Sequence, residues 1–526
     1  MVAEQREQKI TYTTMGFEQA EAFNRAYGEA LERISGQLGK TYPAYINNEP
    51  RFTQRSTFES RSPNDQRILL GTFQECREPE VNDAVRAARE AYETWSHMPW
   101  RERLVIMRRA AANFRQRKYD IAAWLTLEAG KSRLEAMGEV EEAADLITTY
   151  CDQMEQHDGF VIKLNQLSPV EVNHSVLRPY GIWTVIAPFN FPVALATGMV
   201  AGALIAGNTV VFKPSIETPL AGIHVYQCLV DAGLPAGALN LLTGAGNETG
   251  ELLSRHPGID AVAFTGSRAV GCLINREFNE ERPRPVIAEM GGKNPVIVTD
   301  RADLGKAVEG TARAAFGYAG QKCSAASRVY VQRGVAGDFI QQLAERTQAL
   351  VVGNPVEADV FAGPVINERA YHRFQEVSAI ARKDGTIVAG GTVLALGDLS
   401  RGYYCALTVA ELPSDHRFFY EELFVPFISV ARVDSLDEAL RLANDSEYGL
   451  TAGIFTEDHS EMQTFLDRIE AGVVYVNRKG GATTGAWPGV QSFGGWKASG
   501  STGKSALGPY YVQQFMREQS QTVVTE

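Results

Sequence analysis

The chain has 526 residues, several times a typical domain of roughly 150 residues, so two or three structural units with large cores are expected. Its 44% apolar and 22% charged residues exclude disordered, collagen-like and coiled-coil proteins. The net charge of −12 has the wrong sign for a protein whose main ligand is a nucleic acid, although a local basic patch could hold one phosphate.

The number and spacing of the cysteines indicate whether disulfides or metal sites are expected. The six cysteines are scattered and none forms a C-x-x-C pair, so neither a disulfide framework nor a zinc site is indicated. We therefore expect no metal. The N-terminal segment MVAEQREQKI lacks the apolar core of a secretory signal, so a cytoplasmic protein is predicted.

One stretch imitates a membrane span, because residues 179–212 carry no charged side chain. Pro188, Pro192 and Gly207 interrupt it, and no second such segment exists. A strand buried on both faces of a parallel sheet has the same composition. We therefore expect a strand, a turn, a short helix and a second strand, and no membrane association.

In chain order, residues 81–156 come first and have apolar positions at helical spacing, which predicts a run of helices. From Trp183 onward, short apolar runs such as WTVIAP, NTVVFK, AVAFTGS and PVIVTD alternate with helical patterns. This alternation predicts βαβ units in a doubly wound parallel sheet, with residues 210–290 as the nucleotide-binding layer. A second alternation over about residues 290–480 predicts a second α/β unit.

Two further segments read as strands outside these units. Residues 157–179 alternate at period two, like a protruding hairpin, and the tail from about residue 503 is another candidate strand. Such strands pair with another subunit or with a neighbouring sheet, so a homo-oligomer, a dimer or larger, is expected.

Three glycine motifs fail as phosphate-binding fingerprints. Residues 130–132 and 503–505 both read Gly-Lys-Ser, but Leu125 and Ala498 stand where the phosphate loop needs its first glycine. Residues 244–250 follow a strand but are one residue too long for G-x-G-x-x-G, so a turn is favoured.

The better nucleotide signal is AVAFTGSRAVG, an apolar strand that ends at residues 265–267 and runs into a helix. A glycine turn before a helix N-terminus directs backbone N–H groups at a phosphate, although an ordinary α/β turn looks similar. Lys213 ends the strand NTVVFK at the same sheet edge. We favour a cofactor contact over a solvated lysine because Pro214 turns the chain immediately afterwards.

Two residues suggest catalysis. Cys323 lies in the small-residue loop GYAGQKCSAAS beside Lys322, where a reactive thiolate is expected rather than a buried structural cysteine. Glu289 closes an apolar strand just before two glycines, a costly place for an unpaired carboxylate. We predict a nucleophile at Cys323 and, at Glu289, a general base whose pKa is raised by partial burial.

These two motifs resemble those of the aldehyde dehydrogenase superfamily, in AEMGGKN and FGYAGQKCSA and in their spacing. The segments IAPFNFP, NTVVFKPS, FTGSRAVG, EELFVPF and SFGGWKASG are similar to further family motifs in the same order, so the resemblance covers the chain beyond about residue 45. The Cys323-Ser324 pair, the NRK at residues 477–479 and the N-terminal extension ending in TYPAYINNEP resemble the branch that oxidises L-glutamate γ-semialdehyde, formed from 1-pyrroline-5-carboxylate.

The resemblance implies an aldehyde dehydrogenase-like α/β fold. It would have a Rossmann-type NAD(P)-binding domain at residues 1–156 and 180–289, an α/β catalytic domain at 290–500, and a small β oligomerisation element at 157–179 and 501–526. It also implies that Cys323 attacks the aldehyde, that Asn190 and the Cys323 N–H hold the oxyanion, and that Glu289 activates water to hydrolyse the thioester.

The implied cofactor is NAD, with NADP possible, and the implied substrate is a small-molecule semialdehyde. Cofactor contacts carried over from the family are Ile186, Lys213, Ser215, Gly246, Gly250, Phe264, Gly266, Ser267, Glu422 and Phe424. Substrate contacts carried over are Glu142 for the ammonium group, Ser324, Gly485 and Ala486 for the carboxylate, and Phe493 for the aliphatic part. A solvated helix face is the alternative for Glu142.

Three departures leave details open. Ile216 stands where the family often has a glutamate, with Glu217 one place later, so the choice of NAD over NADP is open. The loop NRKGGATTGAWPGVQSFGG is about three residues longer than usual, so the anchor could instead be residues 481–482. Val425 replaces a usual glycine.

Three rival functions differ from the one that the resemblance implies. A thioester-intercepting, CoA-acylating enzyme would need no general base, and Glu289 argues against it. A dehydrogenase for another semialdehyde or an aliphatic aldehyde remains an alternative, as does a non-catalytic member of the fold.

Overall fold

The computed structural model describes residues 17–53, 56–478, 487–504 and 506–525. Its α-helices are α1 (Phe17–Ser35), α2 (Glu78–Trp95), α3 (Trp100–Gln116), α4 (Lys118–Ala129), α5 (Arg133–Gln156), α6 (Ala194–Ile205), α7 (Pro219–Val230), α8 (Glu251–Arg255), α9 (Arg268–Phe278), α10 (Leu304–Phe316), α11 (Arg333–Gln348), α12 (Glu368–Asp384), α13 (Leu436–Asn444) and α14 (His459–Arg468). The helices predicted between residues 81 and 156 are confirmed as α2 to α5.

The strands in the same described ranges are β1 (Lys40–Tyr42), β2 (Ala44–Ile46), β3 (Glu49–Arg51), β4 (Thr57–Ser62), β5 (Asp65–Gln74), β6 (Val161–Lys163), β7 (Glu171–Pro179), β8 (Ile182–Ile186), β9 (Thr209–Lys213), β10 (Leu239–Leu241), β11 (Ala261–Thr265), β12 (Val286–Glu289), β13 (Asn294–Val298), β14 (Ala326–Gln332), β15 (Thr386–Ala389), β16 (Thr408–Glu411), β17 (Phe427–Val433), β18 (Tyr448–Gly449), β19 (Thr451–Phe455), β20 (Val473–Val476), β21 (Trp496–Lys497) and β22 (Met516–Val524).

The first large sheet has seven strands in the order β12-β11-β8-β9-β10-β2-β3. The five strands from β12 to β10 run parallel, as the alternation of apolar runs and helices predicted. Strands β2 and β3 add an antiparallel edge that was not predicted from the sequence. The strand order reverses between β8 and β11, and ligands of doubly wound sheets bind at the carboxyl ends of the strands at such a point.

The uncharged stretch of residues 179–212 forms β8, α6 and β9, as predicted. Strands β8 and β9 are buried along their whole length, and α6 is buried on nearly every side, which explains why this segment lacks charged residues. Within the described residues, none of the helices has both the length and the apolar content needed to span a membrane.

The second large sheet has seven strands in the order β15-β16-β17-β14-β13-β19-β20, parallel except for β15. It confirms the second alternation. Cys323 lies between α10 and β14, at the amino end of β14, and Glu289 ends β12 of the first sheet. Because β13 follows Glu289 after four residues of connection, the carboxyl edge of one sheet is joined to the amino edge of the other.

The hairpin and the C-terminal tail form one three-stranded antiparallel sheet, in the order β22-β7-β6. Strand β22 pairs with β7 over its whole length, from Met516 opposite Pro179 to Val524 opposite Glu171. The strands therefore pair within the chain, while Val161, Ile162 and Val524 stay exposed. The division into domains at the boundaries named above stays a prediction.

Candidate active site

The loop that carries Cys323 has an unusual backbone. Tyr318, Ala319 and Gly320 all adopt positive φ, at 53°, 52° and 71°, between the end of α10 and Cys323. A Cβ at Gly320 would lie 2.7 Å from the carbonyl oxygen of Val425, so only glycine fits there. This local strain is retained because the loop is packed from several sides, which is common at functional sites.

Asn294, at the start of β13, fixes the same loop. Its Nδ2 donates to the carbonyl oxygens of Cys323, at 2.7 Å, and Ala325, at 2.9 Å, while its Oδ1 accepts from the Thr451 N–H at 3.0 Å. Asn294 was not predicted as a site residue, although it belongs to the motif AEMGGKN. One buried amide thus joins the Cys323 loop to β13 and β19.

Glu289 lies at the end of β12, paired in register with Thr265 of β11. Its Oε2 is buried and has no hydrogen-bond partner among the described residues. Burial raises the pKa of this carboxyl to about 8, partly offset by a hydrogen bond from the backbone of Gly495. The predicted rise of its pKa through burial is therefore present in the structure.

The electrostatic setting of Cys323 corrects one expectation. Burial raises the pKa of its thiol to about 12, and the charges of Glu422 and Glu289 act in the same direction, while the Ser324 N–H lowers it. The ammonium group of Lys322, which was expected to favour the thiolate, donates instead to Glu135 Oε1 at 2.6 Å. The neighbouring positive charge is neutralised, so Lys322 does not activate the thiol.

Asn190 follows β8 at the carboxyl edge of the first sheet, where the strand order reverses. Its side chain is 4% exposed and makes no hydrogen bond to other described residues. The amide N–H of Asn190 is thus available to a bound ligand, as an oxyanion donor requires.

The predicted phosphate turn is present after β11. The Oγ of Ser267 caps α9 by accepting from the Val270 N–H at 3.4 Å, and a Cβ at Gly266 would lie 2.5 Å from the ring of Phe264. Lys213 is buried, donates to the Pro214 carbonyl at 2.9 Å, and has a pKa lowered by burial to about 8. The solvated-lysine alternative is therefore wrong.

Glu422 is held beside the two glycines that follow Glu289. The Gly292 N–H donates to Glu422 Oε1 at 2.9 Å, and a Cβ at Gly291 would lie 2.3 Å from Glu422 Oε2. Phe424 adopts φ 58° and packs edge-on against Phe189, with 5.8 Å between ring centroids. Phe424 is thus the residue of EELFVPF with a left-handed backbone conformation. It directly precedes Val425, which stands where the family usually has glycine.

The remaining residues predicted to contact the cofactor lie near the same edge of the sheet. Ile186 ends β8, Gly246 and Gly250 bound a π-helical turn, and a Cβ at Gly250 would lie 3.6 Å from Cδ of Lys213. Ser215 accepts from the Glu217 N–H at 3.2 Å. A glycine cradle, a helix N-terminus and a buried lysine at one sheet edge fit a dinucleotide.

Glu217 does not face this edge freely. Its Oε1 accepts from Asn367 Nδ2 at 2.8 Å, and burial raises its pKa. Ile216, at the position where the family often has a glutamate, is 37% exposed. Glu217, the acid one position after Ile216, is therefore hydrogen-bonded to Asn367 at the start of α12.

Among the predicted substrate contacts, Glu142 of α5 is half-buried and has neither a hydrogen bond nor an ion pair among the described residues. Burial, assisted by Glu139, raises its pKa to about 8. Glu142 is thus only partly solvated, on a helix whose neighbouring residues are mostly buried. Ser324 is nearly buried beside Cys323, and Phe493 packs against the main core.

The predicted carboxylate anchors Gly485 and Ala486, and their alternatives at residues 481–482, lie outside the described residues. The described residue next to them, Trp487, donates from Nε1 to Asp145 Oδ2 of α5 at 2.7 Å. Asp145 also pairs with Arg115 at 3.0 Å. In the described ranges, no group of three or more His, Cys, Asp or Glu side chains could hold a metal ion.

Comparison with known proteins identifies the family. A model described as the aldehyde dehydrogenase family matches residues 52–521. The chain belongs to the aldehyde dehydrogenase family. The 1-pyrroline-5-carboxylate dehydrogenase of Bacillus subtilis (strain 168) is 36% identical over 516 residues, which cover 96% of this chain and 97% of that protein.

Solved structures of this family agree. The 1-pyrroline-5-carboxylate dehydrogenase from Thermus with bound NAD has a TM-score of 0.92 at 34% identity and covers 100% of both chains. The lactaldehyde dehydrogenase from Escherichia coli has a TM-score of 0.86 at 29% identity, covering 93% of this chain and 100% of that one. The expected aldehyde dehydrogenase-like α/β fold is confirmed.

Proposed function

We propose that this aldehyde dehydrogenase oxidises L-glutamate γ-semialdehyde, the open form of 1-pyrroline-5-carboxylate, to L-glutamate with NAD. Glu142 carries the proposal, because it is a half-buried acid with neither a hydrogen bond nor an ion pair to a described residue, and a bound ammonium group would lower its raised pKa of about 8 and favour the carboxylate form. An amino-acid semialdehyde brings an ammonium group, which such a carboxylate would pair with. The relatives named 1-pyrroline-5-carboxylate dehydrogenase support the same substrate.

Cys323 begins the reaction as a thiolate that adds to the aldehyde carbon. A C–S bond forms, and the carbonyl π electrons move to oxygen, which gives a thiohemiacetal oxyanion. The thiol is buried with a pKa raised to about 12. Its proton therefore has to leave to solvent water or hydroxide as the sulfur attacks, which leaves Glu289 free for the hydrolysis step.

Asn190 and the Cys323 N–H hold this oxyanion, an effect typically worth about 3 to 4 kcal/mol per donor. Ser324, with the loop after Arg478, would hold the substrate carboxylate, and Phe493 would wall its aliphatic part. These contacts orient the aldehyde carbon toward the sulfur.

When bound, NAD supplies the acceptor for the hydride that leaves the thiohemiacetal carbon, so that a thioester remains on Cys323. Lys213, Ser267 and Glu422 would hold it, along with the glycine cradle around Gly250 and Gly266. Glu217 already accepts a hydrogen bond from Asn367 through Oε1, so one of its carboxylate oxygens is engaged within the protein.

Glu289 completes the reaction by taking a proton from water. The resulting hydroxide adds to the thioester carbon, the C–S bond breaks, and the thiolate and the carboxylic acid are released. A pKa of about 8 leaves part of the Glu289 population ionised at neutral pH and makes it a stronger base than an ordinary carboxylate.

We also propose a cytoplasmic homo-oligomer that assembles through the three-stranded sheet of β6, β7 and β22. Exposed Val161, Ile162 and Val524 support this assignment, because apolar side chains on an exposed sheet favour association. The domain division into residues 1–156 with 180–289, 290–500, and 157–179 with 501–526 is part of the same proposal. Light scattering on the purified protein tests the assembly, and a monomer would contradict it.

The function itself is tested by product analysis. Purified protein is incubated with 1-pyrroline-5-carboxylate and NAD, and NADH and L-glutamate are quantified, with the Cys323→Ala variant as control. We expect equal amounts of both products from the wild type and none from the variant. NADH without L-glutamate, or no turnover with NAD or NADP, would contradict the proposal.

A further inference from the structure

Helix α5 carries two buried glutamates one turn apart, Glu135 and Glu139, which are 7% and 1% exposed. Neither residue belongs to the predicted catalytic, cofactor or substrate sets. Glu139 contacts the segment that follows Asn190, and Glu135 contacts Lys322 beside Cys323, so α5 links the two segments that would supply the oxyanion donors.

Glu139 holds the start of α6. Its Oε1 accepts from the N–H groups of Val193, at 2.7 Å, and Ala194, at 3.1 Å. These N–H groups have no partner within a helix, so a carboxylate that accepts from both fixes the chain where it enters α6. Asn190 lies three residues before Val193 in that entering segment.

The other oxygen of Glu139 forms a fully buried ion pair with Lys131, with 2.6 Å between Oε2 and Nζ. The ammonium of Lys131 in turn lies 3.7 Å from the ring centroid of Phe191 and 4.6 Å from that of Tyr318. Phe191 follows Asn190, and Tyr318 belongs to the Cys323 loop. Lys131 of this ion pair thus contacts the residue after Asn190 and a residue of the loop that leads to Cys323.

Glu135 contacts the segment that contains Cys323. Its Oε1 accepts from Lys322 Nζ at 2.6 Å, and Lys322 directly precedes Cys323. Its carboxylate lies within 3.0 Å of the position that a Cβ at Gly317 would occupy, so a glycine there leaves room for it. The residue directly before Cys323 is thereby tied to α5 through its side chain.

We propose that Glu135 and Glu139 are positioning residues that set the separation between the Asn190 amide and the Cys323 N–H, and hence the geometry of the oxyanion site. Glu139 acts through residues 190–194, and Glu135 acts through Lys322. The inference rests on the proposed roles of Asn190 and Cys323 in aldehyde oxidation.

The test compares two double variants that both remove the buried charges. The first, Lys131→Met/Glu139→Gln, keeps a carbonyl acceptor for the α6 N–H groups and is called the Gln pair. The second, Lys131→Met/Glu139→Leu, removes that acceptor and is called the Leu pair. Replacing both partners avoids leaving an unpaired ammonium in the core. We expect kcat to fall roughly tenfold or more in the Leu pair and to remain within about threefold of wild type in the Gln pair, with KM for NAD unchanged.

Glu128 provides a matched control for stability. It is 1% exposed and accepts from the N–H groups of Leu220, at 2.7 Å, and Ala221, at 2.9 Å, at the start of α7. Glu128→Leu removes the same kind of cap from a different helix. We expect a comparable loss of melting temperature but a kcat within about twofold of wild type.

A second readout separates donor positioning from thiol reactivity. Alkylation of Cys323 by iodoacetamide forms no oxyanion, so its rate should be unchanged in the Leu pair although kcat falls. Cys272 is the exposed cysteine of the described chain, so all proteins carry Cys272→Ser. Glu135→Gln frees the charge of Lys322 beside Cys323. In this variant we expect the pH profile of Cys323 alkylation to move to lower pH while kcat falls.

Equal kcat values for the Leu pair and the Gln pair would overturn the inference. It would also be overturned if the alkylation rate of the Leu pair fell together with its kcat and Glu128→Leu lost kcat to the same extent. All variants are assayed with the aldehyde that the wild type oxidises fastest. If the wild type oxidises none, the proposed function fails and the inference fails with it. If the wild type is active and the variants match it, the inference alone fails.

Discussion

Lys322 directs its ammonium group to Glu135, with 2.6 Å between Nζ and Oε1, instead of toward the neighbouring Cys323. Both side chains are buried, so the positive charge of the residue before Cys323 is neutralised inside the protein. The thiol is left among Glu289, Glu422 and a low-dielectric environment, which together raise its pKa to about 12. In the proposed reaction, Cys323 is therefore activated by removal of its proton and not by a resting positive neighbour.

The first prediction concerns this thiol. Because the pKa of Cys323 is raised to about 12, its alkylation by iodoacetamide without cofactor should increase steadily with pH and reach no plateau below about pH 9. The measurement is the second-order alkylation rate in a Cys272→Ser background. A plateau near neutral pH would show a resting thiolate and contradict activation by proton removal.

The second prediction concerns hydrolysis of the thioester. Glu289→Gln cannot take a proton from water, so the steady-state rate should fall by roughly a hundredfold or more while the first turnover is retained in part. Stopped-flow measurement should show an NADH burst of about one per active site. Asp152→Asn, an exposed change on α5, serves as control and should show steady turnover. Undiminished steady turnover in Glu289→Gln would remove this residue from catalysis.

The third prediction is the effect of the same substitution on stability. The folded pKa of Glu289, about 8, lies above its ordinary value of 4.5, so the folded protein keeps a proton that the unfolded chain releases. Stability that is present below pH 4.5 is therefore lost as pH rises through about 8. Glutamine cannot ionise, so the free energy of unfolding of Glu289→Gln should exceed that of wild type at pH 8 by on the order of 2 kcal/mol. At pH 4.5 the two should differ little. Urea unfolding at both pH values measures this, and a difference that does not change with pH would show that ionisation of Glu289 is not its cause.

The fourth prediction concerns substrate recognition. Glu142→Gln removes the carboxylate that would pair with the ammonium group, so KM for glutamate semialdehyde should rise roughly tenfold or more. KM for propanal, which has no ammonium group, should stay within about twofold. Glu155→Gln, at the exposed end of the same helix, is the matched control. Equal effects on both aldehydes would assign Glu142 a structural role.

The fifth prediction concerns the Cys323 loop. Asn294→Ala removes the two donated hydrogen bonds, to the carbonyls of Cys323 and Ala325. We expect kcat to fall roughly tenfold or more with KM for NAD unchanged, because the loop positions the sulfur and not the cofactor. Unchanged kcat in a folded variant would show that the remaining packing suffices to hold the loop.

Much of this structure could be predicted from short sequence patterns. The strands that end at Lys213, Thr265 and Glu289 were predicted because apolar runs and glycine turns encode them locally. The position of Cys323 before β14 was identifiable from its small-residue loop. The antiparallel edge β2-β3 was not predicted, because its three-residue strands are too short to show a period.

The interactions between distant segments were not predictable. Lys322 and Glu135 are 187 positions apart, so the sequence motif around Cys323 carries no sign that the lysine is paired. The same reason hid the contact of Glu139 with Val193 and that of Trp487 with Asp145. Long-range pairs depend on how the sheets and α5 pack, which no local periodicity records.

The most direct test of the central claim is a comparison of kcat/KM with NAD for 1-pyrroline-5-carboxylate in equilibrium with its semialdehyde, succinate semialdehyde and propanal. The proposed function predicts an advantage of roughly tenfold or more for the amino-acid semialdehyde, abolished in Cys323→Ala. A higher kcat/KM for either competing aldehyde would contradict the substrate assignment while leaving aldehyde dehydrogenase chemistry intact.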